Sequence, residues 1–565
     1  MSKRILVVGG VAGGASAATR LRRLDESAEI IIFEKGPHVS FSNCSLPFYL
    51  SGIVEDMESL VLMDPETFKA QYNIEVRVNN EVIKISRSKK TILVKDLTTG
   101  REYEEHYDKL VLSPGASPIR PNSIEGIYNQ NVFTVRDVVD IDNLKTYIKE
   151  KSIKDVAVIG GGFIGLEVAE NLRLAGMNIS LIEALDQVMA PFDYDMVQIL
   201  HKEIMDHGID LILSDGVKKI GKDYIELQSG RIVKAEAVIM AIGVRPETKL
   251  AEEAGLEIGE TGGIKVDRNY RTSDKDIYAV GDAIEVYNRL TKRPTRLALA
   301  GSAQRQARSA ADHIYNIPVR NNGVIGSSVI KLFDLNAACT GLNEKQAKFA
   351  GISYDFVYII PQDKVGLMPN SNPMHFKLLF EVPTGKILGA QAIGRGHVDK
   401  RIDVIATLVM MNGTLEDLKE LELCYAPMFG TARDVVNHAA MVGLNILNGV
   451  FNQVPVTKVR DLVENNAHII DVREKHEYEA GHLINAVNIP LSQLRQRVDE
   501  IPTDRSVYLH CRSSQRSYNA IMALQHMGFD NLYNISGSFL GISYYEYFND
   551  QVTGRNKILT EYNFK

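Results

Sequence analysis

At 565 residues the chain exceeds one domain, since domains run to roughly 100–200 residues each, and its 45% hydrophobic and 24% charged content is that of an ordinary globular protein. A net charge of −7 provides no basic field for a phosphate backbone, which excludes nucleic acid as an expected partner. No run of about 18 apolar residues exists, so no membrane-spanning helix is expected.

The chain opens on a charge pair and the apolar run ILVV, the start of a secretory signal in appearance. Glycines follow at once and no cleavage pattern appears, so the reading is a buried first strand in a cytoplasmic protein. Gly9-Gly10-Val11-Ala12-Gly13-Gly14 then leads into the alanine-rich stretch ASAATRLRRL, a strand–turn–helix unit. It departs from G-x-G-x-x-G because Val11 holds the middle glycine position, yet an acid, Glu34, ends the next predicted strand, AEIIIFEK, with Lys35 beside it. Ten residues on, Ser40-Phe41-Ser42-Asn43-Cys44 carries a lone cysteine. The others, Cys339, Cys424 and Cys511, stand too far apart for a disulfide framework or a zinc site, and no metal is expected.

Tyr107–Pro118 reads as a strand ending in the turn Ser113-Pro114-Gly115. A second unit starts near Asp155, where VAVI runs into Gly160-Gly161-Gly162-Phe163-Ile164-Gly165 and the helix LEVAENLRLAG. Here the fingerprint is complete. Gly160 permits the tight turn, Gly162 the approach of a pyrophosphate to the backbone, and Gly165 close helix–strand packing, with the positive helix end facing the phosphates. Glu183 follows Gly160 by 23 residues at the end of NISLIEA, where a carboxylate accepts ribose hydroxyls and repels a 2′-phosphate, so NADH is expected over NADPH. Thr272–Ala283 predicts a strand delivering Gly281-Asp282 to a helix N-terminus, with Asp282 suited to a ribityl chain. Gly243 and Ala300 complete the candidate cofactor residues. Two such units call for two nucleotides, the usual pair being FAD first and NAD(P)H second.

With these motifs in place, the first 450 or so residues resemble the two-dinucleotide-domain flavoprotein disulfide reductases. The resemblance implies an α/β fold: an FAD-binding domain (1–115 and 246–325) and an NADH-binding domain (116–245), both Rossmann-like, then an α+β dimerisation domain (326–450) that covers a homodimeric partner's active site. Dithiol members carry a second cysteine five residues after the first. Here that position is Tyr49, so Cys44 acts alone and stores electrons only by bonding an outside sulfur or oxygen.

S-F-x-N-C is similar to the motif of coenzyme A-disulfide reductases. That resemblance makes Arg20 and Arg23 phosphate ligands of coenzyme A, with Ser16, Ser40 and Asn43 lining the same channel. In LELCYAPMFGTARDVVNHAA it makes Tyr425 a proton donor reaching into the partner's site and Arg433 a phosphate ligand. Met428 and Phe429 depart from the family pattern, and no tyrosine stands near Gly366-Leu367-Met368-Pro369. The missing phenol favours an acidic leaving group such as a persulfide over a disulfide. Single-cysteine NADH oxidases and peroxidases are the rival, but they carry a histidine in the first glycine turn, and none precedes His38 here. A redox-sensing, sulfur-binding protein is the third reading.

After a linker expected at Asn448–Val456, residues 457–565 resemble a rhodanese-like α/β domain. Asp471-Val472-Arg473-Glu474 ends the run HIID, and SVYLHCRSSQRS sets Cys511 between a strand and a helix, flanked by Arg512 and Arg516. A loop of amides, a helix N-terminus and two guanidiniums suit a thiolate or persulfide anion. Asn485, Ser514 and Ser538 stand where the resemblance places glycines.

Overall fold

The computed structural model describes residues 3–564. It comprises two compact units, one running to Asp186 and resuming over Ile212–Val324, the other formed by Gln187–Leu211 with Ile325 onward. No helix among the described residues is long and apolar enough to cross a membrane.

In the first unit the strand Arg4–Val8 is apolar from Ile5 onward because both its faces are covered there. Ile5 and Val7 enter one core cluster, and Leu6 and Val8 enter the other. It is the centre of a parallel sheet in the order Ile277–Ala279, Lys109–Leu112, Arg4–Val8, Glu29–Phe33, Glu75–Arg77. The helix Ala12–Leu24 buries Gly13, Gly14, Ala17, Ala18 and Leu21, a small-residue stripe that lets the alanine-rich helix Ala300–Ile314 pack closely against it. The second parallel sheet has Asp155–Ile159 between Asn178–Ile182 and Ala237–Met240, with Val132–Phe133 beyond the latter.

The second unit holds a five-stranded antiparallel sheet, ordered Ser327–Leu332, Leu335–Gly341, Ile387–Gly394, Met374–Glu381, Tyr354–Ile359. Lys377 on its fourth strand is fully buried and bonds both Asp195 oxygens (2.9 and 2.8 Å) and Glu344. Asp195 stands on the helix Tyr194–Asp206, so this ion cluster ties residues 187–211 to the sheet. The C-terminal segment has its own parallel sheet, ordered Asn452–Val454, Leu532–Ile535, Val507–His510, His468–Asp471, Val487–Asn488.

Two expectations change. The expected linker at Asn448–Val456 contains an edge strand, Asn452–Val454 paired with Leu532–Ile535, and three residues are too few to display a period. Gly281-Asp282 sits in a one-turn 3-10 segment, Gly281–Ala283, and not at a helix N-terminus. The helix that supports it, Ala300–Ile314, begins after an irregular stretch.

Candidate active site

The glycine turns are built by contact. Gly9 has φ +88°, and a Cβ there would lie 2.1 Å from the Ser113 carbonyl oxygen; one on Gly14 would lie 1.7 Å from the Gly9 oxygen. The second turn repeats this, with Gly160 at φ +111° and a Gly165 Cβ 1.9 Å from the Gly160 oxygen. Val11 is accommodated because its position needs no left-handed backbone: φ is −98° there and −81° at Gly162. A Cβ on Gly162 meets nothing within 4 Å, which leaves the approach a pyrophosphate requires.

The two acids do the same work. Glu34 accepts the Gly10 N–H at 2.8 Å and the Gly36 N–H at 2.9 Å, and Glu183 accepts the Gly161 N–H at 2.7 Å and the Leu185 N–H at 3.0 Å. Each carboxylate is fixed at the rim of its glycine turn, where a ribose fits. Pro114 and Gly115 follow Ser113 at the end of the strand Lys109–Leu112; Gly243 (φ +109°) precedes Val244–Pro246, and Ala300 opens its helix. Lys35 is exposed beside Glu34, and Phe163 and Ile164 form the first turn of the helix Phe163–Leu174. These residues fit FAD in the first turn and a nicotinamide dinucleotide in the second.

Cys44 lies in the short turn Asn43–Ser45, open to solvent. Ser40, with φ +49°, donates its N–H to the Gly10 carbonyl at 2.9 Å, which seats the cysteine segment against the first glycine turn. The protein packed behind the thiol raises its pKa, and the carboxylates of Glu167 and Asp282 add to the rise. The single thiol is therefore within electrostatic reach of one acid from the second glycine-turn helix and one from the 3-10 segment Gly281–Ala283. Burial lifts Glu167 itself to about 7, with Glu170 adding, and burial also raises Asp282.

Tyr49, where dithiol members have their second cysteine, is stacked beneath Lys145, whose ammonium sits 3.4 Å from the ring centroid and bonds the Tyr49 carbonyl at 2.8 Å. The helix Leu46–Ser51 is held to Phe163–Leu174 by Ser51 Oγ donating to Asn171 Oδ1 at 2.6 Å. Asn43 is exposed and donates to the Arg136 carbonyl at 3.4 Å. Arg20 is ion-paired with Asp312 at 2.6 Å, while Arg23 on the same helix is exposed and Ser16 half-buried.

Sequence reasoning missed Glu167, whose signal was a carboxylate two residues past the last glycine of the fingerprint. It also missed Gln306, which accepts the Gly281 N–H at 2.8 Å; one glutamine in an alanine-rich helix gives no signal.

In the second unit the run Cys424–Phe429 is exposed, with Tyr425 at 50% and Phe429 at 67%, and Arg433 is exposed. Arg401 anchors this segment. Nearly fully buried, it donates to the Asp363, His397 and Phe429 carbonyls and to Asp434.

Cys511 follows the strand Val507–His510 and is 1% exposed. Ser517 Oγ lies 3.7 Å from its Sγ, and the helix Gln515–Gln525 starts directly after Ser514. Arg516 forks onto Glu477 at 2.6 and 2.7 Å and holds that carboxyl down to about 2, while burial lowers Arg512. Asn485 (φ +65°), Ser514 (φ +75°) and Ser538 (φ +49°) all adopt the left-handed backbone that glycine takes freely, so the loop keeps its shape with other residues in place.

The family comparisons agree with this geometry. Residues 3–307 match the pyridine nucleotide-disulphide oxidoreductase model, 327–435 its dimerisation domain and 456–544 the rhodanese-like domain. The coenzyme A disulfide reductase of Staphylococcus epidermidis is 33% identical over 435 residues, 77% of this chain and 98% of its own. The reduced CoADR-RHD of Bacillus anthracis is 43% identical with a TM-score of 0.93, covering 96% of this chain and 98% of its own. A NAD-dependent persulfide reductase from A. fulgidus is 34% identical with a TM-score of 0.90, covering 95% and 99%.

Proposed function

We propose that this chain, which belongs to the pyridine nucleotide-disulphide oxidoreductase family, uses NADH to reduce coenzyme A persulfide, and coenzyme A disulfide or related polysulfides, through Cys44 alone. The observation that carries the reading is an unpaired thiol between the two nucleotide turns, with Tyr49 locked under Lys145 where a resolving cysteine would stand. FAD, when bound, relays an electron pair from NADH to sulfur.

The Cys44 thiolate attacks the coenzyme A sulfur of the persulfide. A Cys44–coenzyme A disulfide forms, the outer S–S bond breaks and sulfide leaves with its electron pair. Two electrons and a proton then return the Cys44 thiolate and free coenzyme A thiol. Arg23, Ser16, Ser40 and Asn43 bind coenzyme A, with Arg20 available on release from Asp312. In a homodimer Tyr425 of one protomer reaches the other's site and protonates the departing thiolate, and Arg433 binds phosphate. The rhodanese-like segment carries sulfane sulfur on Cys511, with Arg512 and Arg516 supplying the positive field at the loop. A single-cysteine oxidase or peroxidase fits less well, because no histidine stands in the first glycine turn.

Steady-state kinetics with NADH against coenzyme A persulfide, coenzyme A disulfide and hydrogen peroxide in parallel tests the assignment. Persulfide should give the highest kcat/KM. Peroxide turning over fastest would replace this reading with the peroxidase one, and negligible turnover with every acceptor would favour the sulfur-binding sensor.

A further inference from the structure

The helix Ser538–Thr553 holds the Cys511 loop with its first turn. The Cys511 N–H donates to Ser538 Oγ at 3.2 Å; the Phe539 N–H donates to the Cys511 carbonyl at 3.0 Å and the Leu540 N–H to the Arg512 carbonyl at 3.1 Å. The first amides of a helix have no partner within it, and here two of them fix the loop backbone.

From its N-cap through its second turn the same helix presses on the antiparallel sheet. A Cβ on Gly537 would lie 2.7 Å, and one on Gly541 3.4 Å, from Tyr358 Cε1. The Tyr358 hydroxyl and His375 Nδ1 share a hydrogen bond at 2.7 Å, and the His375 ring meets Tyr544 edge-on with centroids 5.0 Å apart. Tyr358 stands on the edge strand Tyr354–Ile359 and His375 on its neighbour, both buried. Burial pushes His375 down to about 3, so the imidazole is neutral and the hydrogen bond to Tyr358 joins two uncharged groups.

We infer that Tyr358, His375 and Tyr544 are positioning residues for sulfur transfer at Cys511: the dimerisation sheet clamps the helix whose first turn holds the sulfur-carrying loop. The inference rests on the sulfur-transfer reading of the C-terminal segment. In that step the Cys511 thiolate attacks a terminal sulfur of inorganic polysulfide. A new S–S bond forms on Cys511, the donor's S–S bond breaks, and the shortened polysulfide leaves with the electron pair.

The test uses the full-length holoenzyme. Loading of Cys511 from inorganic polysulfide is read from the mass of its peptide, and hydrogen exchange is followed over residues 511–518. Tyr358→Phe and His375→Leu should slow the first-order loading step, by up to about a hundredfold if the loop shifts by ~1 Å, and speed exchange of the loop. His375→Asn, whose amide oxygen can accept the Tyr358 hydroxyl, should recover most of the rate. Flavin reduction by NADH, unchanged in all three, checks the fold. Loading and exchange equal to wild type in Tyr358→Phe and His375→Leu would overturn the clamp. A wild type that never loads would overturn the sulfur-transfer reading instead, and loop exchange would still decide the clamp.

Discussion

Glu183 and Glu34 hold equivalent positions at the two glycine turns. Each is pinned by two backbone amides, so it presents its remaining lone pairs in a fixed direction at no further ordering cost. Ala184 and Leu185 after Glu183 offer no cation for a 2′-phosphate. Glu183→Ala should therefore raise KM for NADH by roughly tenfold or more, the worth of one or two hydrogen bonds, and narrow the NADH/NADPH ratio; an unchanged ratio would remove Glu183 from the ribose site. Glu167 has a sign that can be checked. Its folded pKa of about 7 lies above the 4.5 of the free group, so its protonated form is favoured in the fold. The stability it contributes is fully present below pH 4.5 and is lost as pH rises through about 7. Above that pH its charge also raises the Cys44 pKa. Glu167→Gln should flatten that part of the stability profile, read from denaturant midpoints, and move alkylation of Cys44 to lower pH.

Among the elements, both strand–turn–helix units were legible because glycine positions and apolar runs are local signals, and each glycine in them answers to a distance. Gly165→Ala places a methyl 1.9 Å from the Gly160 oxygen, forcing helix and strand apart. Overpacking of this kind costs about 1–3 kcal/mol. The variant should keep its flavin and lose NADH affinity, measured by binding to the oxidised protein; unaltered affinity would mean the second turn does not hold NADH. What escaped the sequence was the geometry between elements. Val11 looked like a defect in the fingerprint, and only its φ of −98° shows that the position asks nothing of glycine's backbone freedom. Ser514 and Ser538 looked like losses in the Cys511 loop, yet each holds the left-handed turn, and their hydroxyls lie 3.2 Å apart, tying the loop to the following helix. The strand Asn452–Val454 is too short for its pattern to be seen before its partner is known.

At the scale of the molecule, the order of motifs along the chain announced a two-nucleotide flavoprotein with a sulfur-carrying segment appended. The compact units cut across that order: residues 187–211 leave the nucleotide-binding run and join the second unit through the buried Lys377 cluster, a long-range arrangement of charges that no local pattern encodes. The site itself was half legible, since Cys44, the glycine turns and Asp282 were readable, but Glu167 and the convergence of both acids on the thiol were not. All of the chemistry assigned to the chain requires that Cys44 be the sole electron store beside the flavin. Anaerobic titration with NADH after loading with coenzyme A disulfide tests this directly. Wild type should consume one more equivalent than Cys44→Ser before its flavin is fully reduced, releasing coenzyme A thiol as it does so, whereas equal consumption and equal release by both proteins would contradict the account.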